Sequence, residues 1–288
     1  MQNIKLLIEL TRLNKPIGFM LLFWPCIWGL TLSYNFDLSL NLFISYSVLF
    51  FLGSVLMRSA GCIVNDIFDK NFDRLVERTK NRPIASGKIS VKLGIIFSIV
   101  LCGIAFIVLI NFNKFTILMA LISMPLAFTY PLMKRFTYWP QLFLGITFNY
   151  GLILAWISIQ NEISAIPIVF YTGAIFWTLG YDTIYGYQDI VDDEIIGVKS
   201  SSIKFKNNPK LLISISYLIF LTSLIIIGIL MNFEIYYFMF LFITLIHLFF
   251  LQIKNLNVKS PVDCLIKFKS NNFLGLIIFI NILIGKLI

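Results

Sequence analysis

The chain has 288 residues, of which 59% are hydrophobic and only 13% charged, with 23 Lys and Arg against 14 Asp and Glu. A soluble domain carries about 25% charged residues, so this composition, with a mean hydropathy of +0.89, excludes that class. The net charge of +9 is distributed between apolar stretches rather than gathered on one soluble face, which excludes nucleic acid as a partner.

A spanning helix needs about 20 mostly apolar residues. Nine stretches approach that requirement: 18–33, 40–64, 93–110, 116–132, 140–159, 165–184, 211–231, 235–251 and 273–287. The expected fold class is all-α: a polytopic membrane protein with nine transmembrane helices around a central cavity, in one domain over 1–288. The first stretch runs into Trp24-Pro25-Cys26-Ile27-Trp28 without a small-residue cleavage site. It therefore reads as retained structure rather than a signal peptide.

The connections alternate in charge. Lys5, Arg12 and Lys15 precede the first stretch, and Lys70, Arg74, Arg78, Lys80, Arg82, Lys88 and Lys92 follow the second. Lys134 and Arg135 follow the fourth, Lys199, Lys204, Lys206 and Lys210 the sixth, and Lys254, Lys259, Lys267 and Lys269 the eighth. The opposite connections hold Lys114 alone. The positive-inside rule then puts the N-terminus and these basic connections in the cytoplasm. The expected setting is a bacterial inner (cytoplasmic) membrane.

Two acidic clusters lie on that basic side. The first reads Asn65-Asp66-x-x-Asp69-x-x-x-Asp73, the second Asp182-x-x-Tyr185-Gly186-x-x-Asp189-x-x-x-Asp193. At 3.6 residues per turn the first set falls within about a quarter of a helix circumference, and Asp182, Asp189 and Asp193 within a narrower arc. A single acidic cluster at a helix end is usually a solvated cap. Two in register, each followed by a basic connection, fit a divalent cation bound with a diphosphate. Oxygen ligands of this kind suit magnesium or manganese. A transporter would place its ionisable groups nearer the bilayer midplane.

Arg58 lies two turns before Asn65, about 10 Å deeper by helical rise. An arginine at that depth costs at least about 2.5 kcal/mol to insert, so it is expected to face a cavity and meet an anion. Two readings stand: a partner within the protein, such as Asp182, or a negatively charged substrate group. Cys26, Cys62, Cys102 and Cys264 have no metal-ligand spacing, with Cys264 expected in a polar connection. His247 stands alone and is expected as a hydrogen-bonded interior group, so zinc and haem are not expected.

The run from Arg58 through Asn65-Asp66-Ile-Phe-Asp69-Lys70-Asn-Phe-Asp73, continued by Arg78-Thr79-Lys80-Asn81-Arg82-Pro83, resembles the first signature of the UbiA superfamily of intramembrane prenyltransferases. Lys15-Pro16-Ile17-Gly18 with Trp24-Pro25, Thr129-Tyr130-Pro131-Leu132-Met133-Lys134-Arg135, and Tyr181-Asp182-Thr183-Ile184-Tyr185 with Asp189 and Asp193 are similar to its 4-hydroxybenzoate polyprenyltransferase branch. Lys70 departs from the pattern, standing where arginine is expected, which would turn a bidentate grip into a point-charge contact.

The resemblance implies transfer of a polyprenyl group from polyprenyl diphosphate to the ring carbon of 4-hydroxybenzoate ortho to its hydroxyl, an early step of ubiquinone biosynthesis. It implies Mg2+ between the diphosphate and Asp69, Asp73, Asp189 and Asp193, with Asn65 and Asp66 completing the metal shell. Lys70, Arg74, Lys134 and Arg135 become candidate diphosphate contacts, though each is equally accounted for as a positive-inside charge. Tyr130, Tyr185, Asp182 and Arg58 become candidate substrate contacts. Ordinary packing accounts equally well for the two tyrosines in a chain with 12 Tyr and 29 Phe. The alternatives are another branch of the family (haem, menaquinone or chlorophyll type) or a permease without enzymatic activity.

Overall fold

The structure, a computed structural model, describes residues 2–288, with side chains from residue 4 onward. The described chain is helical with no strands. Helix α1 (Gln2–Thr11) is followed by α2 (Ile17–Ser33), α3 (Leu40–Phe68), α4 (Val91–Leu109) and α5 (Lys114–Thr129). Then come α6 (Pro140–Gln160), α7 (Ala165–Gly186), α8 (Pro209–Leu230), α9 (Ile235–Leu245) and α10 (Pro261–Leu287). Helices α2 to α10 occupy the nine apolar stretches.

Seven of them, counting the helical continuation of α5 to Phe136 and of α9 to Lys254, are long and apolar enough to cross a bilayer. Helix α2 has 17 residues, and α7 carries Tyr171, Thr172, Thr178, Tyr181 and Asp182 among its apolar positions. Helix α10 begins twelve residues before the expected apolar core, because Ser260 caps it by accepting from the Asp263 amide and Pro261 fills its first turn. This extension takes in Cys264, which is buried in α10 rather than carried in a polar connection. All four cysteines are free.

The helices pack as a ring in which α2 meets α3, α6 and α10, while α7 meets α6, α8 and α10. With lipid tails as apolar as leucine, close packing drives such contacts, and small residues permit it. A Cβ on Gly29 of α2 would lie 2.3 Å from the Leu152 carbonyl oxygen of α6, and one on Gly145 of α6 would lie 2.7 Å from that of Ile175 on α7. Aromatic rings fill the other side of the ring: Trp28 lies 5.0 Å from Trp177 and 5.4 Å from Phe170 between ring centroids, and Trp177 stacks on Phe220 at 5.8 Å.

Polar groups within the helices mostly find partners. The Trp28 indole donates to the Gly275 carbonyl at 2.9 Å, and that of Trp177 to Asn271 Oδ1 at 2.8 Å. Helix α9 runs on as a π-helix over Ile246–Lys254. There His247 Nδ1 lies 3.5 Å from the Gln252 amide, five residues on, while its Nε2 has no partner among the described residues. One side of the ring is left open. Helix α4 packs on α3 and α5 on α6, and a cavity of about 380 Å³ lies among α2 to α6.

Candidate active site

The first acidic run keeps helical bonding past the end of α3. The Asp69 amide donates to the Asn65 carbonyl at 2.9 Å and the Asp73 amide to the Asp69 carbonyl at 2.8 Å, so Lys70–Asp73 forms a further helical turn. Asp66, Asp69 and Asp73 are consequently held on one side and buried. The second run does not stay on one helix. Helix α7 ends at Gly186, and the amides of Tyr187, Gln188 and Asp189 bond three residues back at 3.3, 3.2 and 3.4 Å. This tightened turn re-aims the chain before a short helix over Ile190–Ile196 that carries Asp193. The expected single arc of Asp182, Asp189 and Asp193 is therefore broken.

Cations from three separate segments meet these acids. Arg12 pairs with Asp66 Oδ1, and Arg82 Nη1 reaches the same oxygen at 3.2 Å and Asp73 Oδ2 at 2.7 Å. Lys134 Nζ donates to Asp69 Oδ2 at 2.6 Å. Arg78 joins the two clusters. It leaves the loop after the first, pairs with Asp189 of the second through Nε at 2.8 Å, and donates through Nη1 to the Tyr185 hydroxyl at 2.9 Å. Burial is the largest influence on Arg78 and opposes its charge, but Asp189 and Tyr185, which accept its hydrogen bonds, together outweigh it and hold the guanidinium above its usual range. Both acidic clusters thus sit at one end of the bundle.

In the sequence Arg12, Arg78 and Arg82 read as topology charges. Arg78 and Arg82 lie within the family signature, but nothing in the spacing of Arg78 reveals Asp189, more than a hundred residues away. Arg74 donates to the Ala85 carbonyl at 2.8 Å and Arg135 to that of Phe68 at 2.6 Å, so both brace loops around the acids. The side chains of Lys70, Asn65, Asp182 and Asp193 form no ion pair or hydrogen bond among the described residues.

Burial pushes the Asp69 carboxyl upward against the pull of Lys134. Burial, helped by the charge of Asp189, pushes Asp193 up to about 6. Among the described residues no three acidic, histidine or cysteine side chains form a ready metal cage. Asp66 Oδ2 and Asp69 Oδ1, however, are buried without a partner among the described residues. Mg2+ is usually held by one or two carboxylates, water and substrate phosphate rather than by an all-protein cage. The residues present fit that kind of binding.

Beneath the acids lies the cavity. Arg58 and Tyr130 line it together with Ser54, Gly53 and Phe50 of α3, Phe112, and Phe148 and Gly151 of α6. Arg58 makes no ion pair among the described residues. Its guanidinium lies 5.1 Å from the Phe148 ring, and its Nε has no hydrogen-bond partner. Phe112, 4.7 Å from Phe50 between centroids, closes the far end. The loop carrying it is pinned by Asn113, whose amide donates to the Ile157 and Ser158 carbonyls at 2.9 and 3.1 Å.

An acid-and-cation mouth above an apolar cavity in a helical membrane bundle defines a class of protein that handles amphiphiles with an anionic head. A model of the UbiA prenyltransferase family matches residues 22–281, and the chain belongs to that family. It is 41% identical over 281 residues to a 4-hydroxybenzoate polyprenyltransferase, mitochondrial, of Drosophila melanogaster, covering 97% of this chain and 71% of that one. It is also 41% identical over 280 residues to 4-hydroxybenzoate geranyltransferase 1 of Lithospermum erythrorhizon, covering 97% and 90%. Two solved folds are similar. A UbiA homolog from Aeropyrum pernix K1 gives a TM-score of 0.76 at 21% identity over 93% of this chain and 97% of that one. A UbiA homolog from Archaeoglobus fulgidus bound to GPP and Mg2+ gives 0.70 at 18% identity over 96% and 99%.

Proposed function

We propose that the protein transfers a polyprenyl group from polyprenyl diphosphate to the carbon of 4-hydroxybenzoate ortho to its hydroxyl, as an early step of ubiquinone biosynthesis. The observation that carries the reading is Arg78 tying the two acidic segments together at the mouth of an apolar cavity that has Arg58 in its wall. The names of the relatives at 41% identity supply the acceptor.

The reaction breaks the bond between the allylic carbon and the diphosphate oxygen, and charge accumulates on the leaving group. Fixed cations aimed at that charge supply the largest share of such catalysis, and Arg78, Arg82 and Lys134 are already held at the acids. Asp66, Asp69, Asp73, Asp189 and Asp193, with Asn65 beside them, would hold Mg2+. When bound, the metal supplies Lewis-acid neutralisation of the departing diphosphate. The apolar cavity walls hold the prenyl tail and keep water from the allylic cation. Arg58 holds the acceptor's carboxylate, and Tyr130 at the cavity wall orients the ring. The ring carbon ortho to the phenol oxygen then forms the new bond and loses its proton. Lys70 contacts the diphosphate as a point charge and Asp182 lines the acceptor's side, while Arg74 and Arg135 brace the surrounding loops.

The setting proposed is a bacterial inner membrane, and the distribution of Lys and Arg supports a site on its cytoplasmic side. The relatives named above include one mitochondrial protein. The test uses purified protein in lipid with a labelled prenyl diphosphate, Mg2+, and separate acceptors from each branch of the family. Magnesium-dependent diphosphate release with 4-hydroxybenzoate alone is expected. Release with a naphthoate or porphyrin acceptor instead would move the chain to another branch, and no release with any acceptor would favour a permease.

A further inference from the structure

Arg12 stands apart from the other cations of the site. Among the described residues that pair with the acids, it is the one that precedes the first spanning helix, at the corner between α1 and α2. Its backbone has φ +56°, the left-handed region that non-glycine residues avoid. The corner is closed around it by bonds from the Arg12 amide to the Glu9 carbonyl at 3.3 Å and from the Lys15 amide to the Arg12 carbonyl at 2.9 Å. A strained backbone of this sort persists only where its surroundings fix it. Here the surroundings are a small second core in which Leu10 of α1 packs with Ile63 of α3 and with Ile84 and Ile89. The opposite face of α1 leaves Ile4 and Ile8 exposed beside Lys5, and Leu13 and Lys15 are exposed just past its end. That pattern suits a helix lying in the membrane interface, at the height of the acids.

The side chain presented by this corner pairs with Asp66 Oδ1. Asp66 does not depend on it alone, because Arg82 reaches the same oxygen at 3.2 Å. The other oxygen, Oδ2, is buried without a partner among the described residues. Asp66 can therefore lose Arg12 and keep a cation. The guanidinium so released is a planar fork suited to two phosphate oxygens at once, and it stands beside the carboxylates.

We propose that Arg12 is a further residue of this site: it is held on Asp66 while no donor is bound and is released to the donor's diphosphate when Asp66 turns to a divalent cation. The inference rests on the reading of a prenyl diphosphate donor given above. It makes Arg12 both a competitor of the metal in the empty site and a contact of the diphosphate in the loaded one.

The experiment measures Mn2+ binding by electron paramagnetic resonance to donor-free protein in phosphatidylcholine nanodiscs, together with the KM of donor and of acceptor. Arg12→Ala is expected to tighten donor-free Mn2+ binding by about tenfold and to raise the donor KM by about tenfold or more, amounts typical of one charge-assisted contact. The acceptor KM stays unchanged. Arg12→Lys is expected to bind Mn2+ like the wild type and to show an intermediate donor KM. Lys15→Ala removes an exposed charge from the same corner without touching Asp66 or the core that fixes Arg12, and should leave Mn2+ binding unchanged. Unchanged or weaker Mn2+ binding in Arg12→Ala, or Lys15→Ala reproducing both effects, would overturn the proposal. If Arg12→Ala does not accumulate, a wild-type donor KM in Arg12→Lys overturns it and a raised one supports it. The Mn2+ titration needs no acceptor, so it is read separately from the choice of 4-hydroxybenzoate, and an unreactive thiolodiphosphate donor gives the affinity arm if turnover is absent.

Discussion

Removing Asp69 separates what the acids do for the fold from what they do for the reaction. Its side chain is 3% exposed and pairs with Lys134, which is 26% exposed, at 2.6 Å. Breaking an enclosed ion pair from one side costs about 3–5 kcal/mol because the remaining charge is stranded. Solvent reaches part of the Lys134 side chain, so Asp69→Ala is expected to cost nearer 2 kcal/mol. For a chain of this size that lowers Tm by roughly 4–8 °C. Turnover is expected to fall by about 10³-fold, the upper end for loss of one electrostatic contribution to a transition state. In the double variant Asp69→Ala/Lys134→Ala no charge is stranded, so Tm should return toward the wild type while turnover stays lost. Thermal melting in detergent and diphosphate release on the same preparations measure both. Recovery of turnover together with Tm in the double variant would refute the argument and make Asp69 a structural counter-charge only.

Arg58→Leu is expected to raise the KM for 4-hydroxybenzoate more than that for the donor, because Arg58 lies in the cavity wall below the acids; steady-state kinetics with each substrate varied checks this, and a donor-only effect contradicts it. Burial and Asp189 hold the Asp193 proton up to about 6, so Asp193 is mostly ionised at pH 7 and mostly neutral at pH 5. Mn2+ affinity of the donor-free protein should accordingly be flat above pH 7 and fall by up to about tenfold per unit below pH 6, and a flat profile down to pH 5 rules this out. Gly53 lines the cavity, and a Cβ there meets nothing within 4 Å. Gly53→Phe should therefore fold normally but fill space the prenyl tail needs, raising the donor KM; wild-type kinetics would show that the tail lies elsewhere.

The helices are legible because each is a long apolar run with a basic connection at one end, a pattern that the bilayer imposes on its own. The first acidic arc was legible for a similar reason: the helical bonds at Asp69 and Asp73 preserve the periodicity read from spacing. The second was not. The tightened turn at Tyr187–Asp189 breaks the period where the chain leaves α7, and the sequence marks it only with Gly186. The sequence points to Lys134, which meets Asp69, whereas it gives Arg12 and Arg78 no partner, since which acid each one meets is decided by tertiary packing. The start of α10 at Pro261 carried a readable cap in Ser260 and Asp263, but polar residues over its first three turns masked it from a search for apolar runs.

The most direct test of the central claim is identification of the product. Purified protein in lipid, supplied with Mg2+, a labelled polyprenyl diphosphate and 4-hydroxybenzoate, is analysed by mass spectrometry and proton nuclear magnetic resonance. The account predicts a single product with the prenyl group on the ring carbon ortho to the hydroxyl, and poor reaction with plain phenol, which offers Arg58 no carboxylate. Attachment at oxygen, or equal rates with phenol, would contradict it.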